Sequence, residues 1–169
     1  MQCECKQLCV ENGIAEYNML QDIGQSEYGF TNEVNGMSYA EYRAWLVREN
    51  EYAQAKNLPA NWIPQTTYFL YVQGVPVGVA RIRHYASEYL ENQGVGSFGY
   101  GIAKAHRGKG YGKILFACVL EKCKAHGYDK IKSFVDVDNA ASNRIFAQSG
   151  AVLLGKWHET KNIYEITIT

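Results

Sequence analysis

Between residues 106 and 113 the chain reads His106-Arg107-Gly108-Lys109-Gly110-Tyr111-Gly112-Lys113, and a helical pattern opens within this run. The first amides of a helix have no intrahelical partner and carry partial positive charge. Glycine removes the Cβ that would hold a phosphate away from them. Arg107, Lys109 and Lys113 add full charges. Together these residues suit a pyrophosphate. Spacing separates the known cradles. A Walker A loop needs Ser or Thr after the lysine, where this chain has Ile114. A G-x-G-x-x-G turn begun at Gly108 and Gly110 would need glycine at Lys113. Arg107, Gly110 and Gly112 instead form R-x-x-G-x-G.

The elements that must position this segment are legible around it. Ser97 to Ala103 reads as a strand, in which Gly99 and Gly101 indicate a bulge or a close backbone approach. Gly110 to His126 reads as a helix with an apolar middle and Gly127 as its stop. Lys130 to Val137 is a strand. Asn139 caps a short helix, Ala140 to Ser149, closed by Gly150. A strand–helix–strand order implies a crossover beside antiparallel pieces. Upstream, Gln2 to Val10 suits a strand, Glu11 to Ile23 a helix and Gly24 to Gly36 a loop. Ser38 with Glu41 forms a capping box for a helix reaching about Lys56. Thr66 to Val72 and Val75 to His84 form a hairpin about Gln73-Gly74. Ala86 to Gly94 reads as a loop, and Ala151 to Trp157 and Ile163 to Ile168 as a last strand pair. The fold class is α/β (α+β), with a mixed, mostly antiparallel sheet flanked by helices.

The R-x-x-G-x-G loop resembles the coenzyme A loop of the GNAT acetyltransferases. Two further blocks carry the likeness. Tyr100-Gly101-Ile102 is similar to the family's fourth strand, which splays and pairs its backbone with the pantetheine arm. Asn139-Ala-Ala-Ser142-Asn-Arg-Ile145-Phe146-Ala-Gln-Ser-Gly150 is similar to its N-x-x-A-x-x-L-Y-x-x-x-G segment. The stretches Asn12 to Trp45 and Pro64 to His84 resemble a bacterial subgroup of uncharacterised predicted acetyltransferases. The resemblance implies one GNAT domain over residues 1–169, with a coenzyme-binding core at about 96–155. It implies acetyl-CoA as cosubstrate, no metal, and direct transfer of the acetyl group to a primary amine. Tyr100, Gly101, Ile102, Arg107, Gly108, Lys109, Gly110, Tyr111, Gly112, Lys113, Asn139, Ser142 and Phe146 would bind the coenzyme.

The chain departs from the family at both proton-transfer positions. Phe146 stands where many relatives carry a Tyr acid, and Gly96 to Ala103 holds no carboxylate where many carry a Glu base. His84, Glu88 and Tyr100 are the candidate catalytic residues, His84 because histidine titrates near neutrality. Glu27, Tyr28, Phe30, Glu33, Tyr39 and Glu88 would line the acceptor side, a mixture of acids and aromatics that suits a cationic amine. An acyl-CoA sensor on the same fold is the alternative that the missing groups motivate. A different nucleotide on the glycine loop is a second, and a tyrosine-rich contact surface a third.

Composition removes other classes. Formal net charge is zero, which disfavours broad nucleic-acid binding. Five cysteines with no Cys-x-x-Cys pair disfavour a disulfide framework or a zinc site. Cys118 and Cys123 read as small core residues. No apolar run approaches the roughly 20 residues of a membrane span, and the first residues lack a signal-peptide pattern. The expected location is the cytoplasm. Relatives often dimerise, and the edge of the last strand pair could take part.

Overall fold

The computed structural model describes residues 1–28 and 30–169. Gly29, inside the expected loop Gly24 to Gly36, lies outside the described residues. In order, the elements are β1 (Cys3–Gln7), α1 (Ile14–Gln21), β2 (Ser26–Glu27), β3 (Phe30–Thr31), α2 (Tyr39–Ala53), β4 (Gln65–Val72), β5 (Val75–Arg83), α3 (Glu88–Glu91) and β6 (Phe98–Ile102). A 3₁₀ turn (Lys104–His106) follows, then α4 (Tyr111–Ala125), β7 (Lys130–Asp136), α5 (Ala140–Gln148), β8 (Val152–Trp157) and β9 (Lys161–Thr167).

β4 is apolar or β-branched nearly throughout because both of its faces are covered. Tyr68, Leu70 and Val72 join Leu115, Phe116 and Val119 of α4 in one core. Phe69 turns the other way, to Leu20 of α1 and Tyr42, Trp45 and Leu46 of α2. Strand alternation thus divides one continuous apolar run between two layers. The capping box is present at α2: the Glu41 amide donates to Ser38 Oγ at 3.2 Å, and the Ser38 amide donates to Glu41 Oε2 at 2.7 Å.

The strands form a sheet of order β1-β4-β5-β6 and a separate sheet of order β7-β9-β8, and every ladder between them is antiparallel among the described residues. β6 is therefore the fourth strand of its sheet. Among the described residues no ladder joins β6 to β7; they meet where the Ser97 amide donates to the Lys132 carbonyl at 2.9 Å, and diverge beyond it. The crossover through α4 spans this gap.

Three local readings change. No register shift interrupts β5 and β6, so Gly99 and Gly101 mark close approach and not a bulge. A Cβ at Gly99 would sit 3.1 Å from the Phe30 ring, which lies against the strand. The segment Gly24 to Gly36 contains the small β2–β3 hairpin. The segment Ala86 to Gly94 contains α3, whose Leu90 amide donates to Ser87 Oγ at 3.3 Å. Of the two helical cysteines, Cys123 is buried, whereas Cys118 is half-buried beside Cys5 of β1. No helix among the described residues is long and apolar enough to cross a membrane.

Candidate active site

β6 delivers the chain through the 3₁₀ turn to the start of α4. Gly110 is the N-cap of α4 at φ +82°, a left-handed geometry that glycine tolerates far better than other residues. Among the described residues, the amides of Gly108 to Gly112 donate to no backbone carbonyl or side chain. They remain free for an external acceptor at the positive end of a 15-residue helix. A Cβ built on Gly108 or Gly110 meets nothing within 4 Å, so open space adjoins these amides. The residues thus fit a pyrophosphate.

Arg107 is held in place. Its Nε donates to the Ile102 carbonyl at 2.9 Å, and its guanidinium pairs with Glu27. Lys104 lies 3.5 Å from the same carboxylate, and the Gly24 amide donates to it at 2.9 Å. Burial pushes the Glu27 carboxyl up. The Arg107 hydrogen bond, the Gly24 amide and the charges of Arg107 and Lys104 outweigh this and hold it below its usual range.

A cleft of about 570 Å³ runs from this loop along β6 to the first turn of α5. The Ala103 amide donates to the Val77 carbonyl at 3.0 Å, and the Arg83 amide to the Ser97 carbonyl at 2.9 Å. Alternation in the ladder then turns the amides of Phe98, Tyr100 and Ile102 away from β5, toward the gap. Across the gap, the Tyr100 hydroxyl lies 3.0 Å from Ser142 Oγ. Burial pushes the Tyr100 hydroxyl above its ordinary range, and the bond to Ser142 opposes that only in part. Asn139 Oδ1 accepts from the Ser142 amide at 3.2 Å and caps α5. Phe146, one turn on, is fully buried, with its ring 4.8 Å from Tyr164 and 4.9 Å from Phe116.

Every residue expected to bind the coenzyme lines this cleft except Lys109, whose Nζ donates to the Ala105 carbonyl at 3.3 Å. Of the expected acceptor-side residues, Glu27, Tyr28 and Phe30 line it. Glu33 instead binds Trp45 Nε1 at 3.0 Å and Arg48 at 2.6 Å, and the Tyr39 ring packs on Tyr17 and Tyr42. Glu88 is exposed in the first turn of α3.

His84 also lies outside the cleft lining. Its Nε2 is 2.7 Å from Thr66 Oγ1, and its ring stacks on His126 at 4.4 Å. Burial pulls His84 below the histidine value of 6.5, and the neighbouring His126 adds to this; burial does the same to His126. The unfolded chain therefore binds more protons than the folded one as pH falls below about 6.5. Stability from the neutral pair is complete above that pH and is lost as pH falls through the folded values. The melting temperature should fall between pH 7.5 and 5.5, and His126→Phe, which keeps a stacking ring without a charge, should flatten that fall. Equal slopes in thermal melts would exclude the histidine pair as the cause.

Sequence reasoning missed Arg81, Arg83, Arg144 and Lys161, all of which line the cleft. The available signal was Arg81-x-Arg83, two cations on one face of an otherwise apolar strand.

This constellation, a glycine-rich helix start opening onto a strand that has parted from its neighbour, defines an acyl-CoA-type transferase cleft. The acetyltransferase (GNAT) family model matches residues 33–151, and the chain belongs to that family. No curated protein matches the chain significantly. Among solved structures, it is similar to the ribosomal-protein-S5-alanine acetyltransferase from Vibrio fischeri (TM-score 0.73, 13% identity, covering 99% of this chain and 94% of that one). It is also similar to a Salmonella typhimurium acetyl transferase that modifies the N-terminal serine of 50S ribosomal subunit protein L7/L12 (TM-score 0.67, 17% identity, 100% and 96% covered). A third is the Campylobacter jejuni N-acetyltransferase PseH in complex with acetyl coenzyme A (TM-score 0.66, 10% identity, 99% and 100% covered).

Proposed function

We propose that this chain, acting as one catalytic domain, transfers an acetyl group from acetyl-CoA to an amine by direct attack. The observation that carries this reading is the continuity of the cleft, from the free amides of α4, along the unpaired edge of β6, to the Tyr100–Ser142 hydroxyl pair. The acetyl coenzyme A bound to the Campylobacter jejuni enzyme of the same fold supports it. Gly108 to Gly112, with Arg107 and Lys113, bind the pyrophosphate. The edge of β6 at Tyr100 to Ile102 pairs with the pantetheine arm, and Asn139, Ser142 and Phe146 enclose the sulfur end.

When bound, acetyl-CoA supplies an activated thioester carbonyl. The Tyr100 or Ile102 amide donates to the developing oxyanion, because the Gly101 amide is turned to β5. The amine must be neutral to attack, and it sheds its proton to water in the open cleft. As the C–N bond forms and the C–S bond breaks, the attacking nitrogen loses its second proton to water in the cleft, and the Tyr100 hydroxyl, relayed by Ser142, protonates the departing thiolate and is reprotonated from solvent. Phe146 supplies packing and no proton.

Calorimetric titration with acetyl-CoA should give roughly micromolar affinity, and thiol release should rise when amines are added. Absence of binding would end the reading. Binding with no amine-dependent release would favour a sensor, which one observation supports: Glu27 is the sole carboxylate among the described residues lining the cleft, and it is engaged by Arg107. We also infer self-association through the edge strand β8, which exposes Val152, Leu153 and Leu154. Light scattering would show a dimer, lost on Leu153→Lys; a monomer at all concentrations would refute it.

A further inference from the structure

The acceptor half of the cleft carries more positive than negative charge, since Arg81, Arg83 and Lys161 line it and Glu27, its one carboxylate among the described residues, is paired with Arg107. Arg81 and Arg83 sit on one face of β5, about 7 Å apart along the strand. Arg81 stands opposite Gly99 of β6, one residue from Tyr100, and Arg83 is bonded to Ser97. Lys161 of β9 faces them across the gap, its Nζ donating to the Gly94 carbonyl at 3.3 Å. Among the described residues neither Arg83 nor Lys161 has a carboxylate partner within 4.0 Å; Arg83 donates to the Gly96 carbonyl at 2.8 Å, and nearby Glu91 is taken by Lys132 at 2.9 Å.

Arg81 is only loosely compensated. Among the described residues its Nε is buried without a hydrogen bond, 3.9 Å from the buried Glu49 carboxylate; its Nη1 donates to the Thr31 carbonyl at 3.3 Å, and its guanidinium lies 5.6 Å from the centre of the Phe30 ring. Glu49 is shared with Gln65 and Thr67 at 3.4 and 3.3 Å, behind the cleft wall. Burial, with Arg81's charge beside it, pushes the Arg83 guanidinium down to about 10, the mark of a cation lacking a counter-charge. Desolvated cations aimed into a cavity whose one lining acid among the described residues, Glu27, is already paired with Arg107 are strained until an anion arrives.

We infer that the amine acceptor carries an anionic group, a carboxylate or a phosphate, a few bonds from its nitrogen, and that Arg83, with Arg81 and Lys161, binds that group and so directs the amine to the gap beside Tyr100. The inference rests on the acetyltransferase reading and inverts the expectation of a cationic acceptor drawn from Glu27, Glu33 and Glu88. Two of those acids lie outside the cleft, and the third is neutralised by Arg107.

The test compares β-alanine, O-phosphoethanolamine and 1,3-diaminopropane as acceptors in a thiol-release assay. An anionic amine should exceed the diamine in kcat/KM by about 10- to 100-fold, a size appropriate to a charge-assisted hydrogen-bonded pair. The better of the two anionic amines identifies carboxylate or phosphate. Arg83→Gln should remove the preference chiefly through KM, Arg83→Lys should restore part of it, and acetyl-CoA affinity should be unchanged in both. A preference for the diamine, or an anionic preference that survives Arg83→Gln, would overturn the inference. If no amine is acetylated, titrating the acetyl-CoA-saturated protein with O-phosphoethanolamine and with β-alanine decides separately. Binding lost in Arg83→Gln upholds the anion site while the transfer reading falls, and no binding by either probe refutes the site.

Discussion

Gly112→Asp should lower the affinity for acetyl-CoA by about 100-fold or more, equivalent to ~2.7 kcal/mol, with little change in melting temperature. Gly112 lies in the first turn of α4 and does not take a left-handed φ, so a side chain there adds no backbone strain. Its Cβ would meet Ile145 Cδ1 at 3.3 Å, a contact the flexible end of that side chain can relieve. An aspartate in a first turn also favours the helix macrodipole, which protects folding. The same carboxylate would stand among the free amides of Gly108 to Gly112 and repel the pyrophosphate. Gly110→Asp would be a poorer test, because the +82° φ at Gly110 makes any side chain there strained. Gly112→Ala separates bulk from charge and should cost only a few-fold. Calorimetry of the three proteins beside their thermal melts checks this, and wild-type affinity in Gly112→Asp would remove the pyrophosphate from the start of α4.

Tyr100→Phe should reduce kcat by about 100-fold while leaving the KM for acetyl-CoA nearly unchanged, the size expected for loss of one positioned proton donor. The ring would keep its packing against Phe98 and Phe116, so only the hydroxyl facing Ser142 is lost. Because burial raises the Tyr100 hydroxyl above its ordinary range, the wild-type rate should hold through neutral and mildly alkaline pH and decline only beyond that range. That alkaline limb should vanish in the variant. Ser142→Ala should have a smaller effect, since the tyrosine would remain able to donate directly. An unchanged kcat in Tyr100→Phe would leave the thiolate to depart with help from solvent alone.

What could be read directly from the sequence has short-range causes. The R-x-x-G-x-G loop, the Ser38–Glu41 capping box, the Gln73-Gly74 hairpin and the Asn139 cap each depend on residues within a few positions of one another. Backbone geometry and local hydrogen bonding fix their outcome. The family likeness followed from three such blocks in order. The Ser87 cap before α3 was equally local, yet a four-residue helix bears too little apolar periodicity to stand out from a loop.

Tertiary structure alone decided the rest, because those features depend on which face of a strand another element covers. His84 immediately follows β5, but its side chain turns to Thr66 and His126 of a distant helix end, outside the cleft. Arg81 and Arg83, on the same strand, turn to the cleft. Changing the register of β5 by one residue would exchange those roles, and nothing within the strand's own sequence sets its register against β6. The gap between β6 and β7 is likewise invisible in either strand. It arises because the backbone bond from the Ser97 amide to the Lys132 carbonyl is not continued into a ladder, although both sheets pack on the same core with α4. The local motif was enough to indicate a coenzyme, whereas the charge that selects the acceptor emerged only when strands distant in sequence were brought edge to edge.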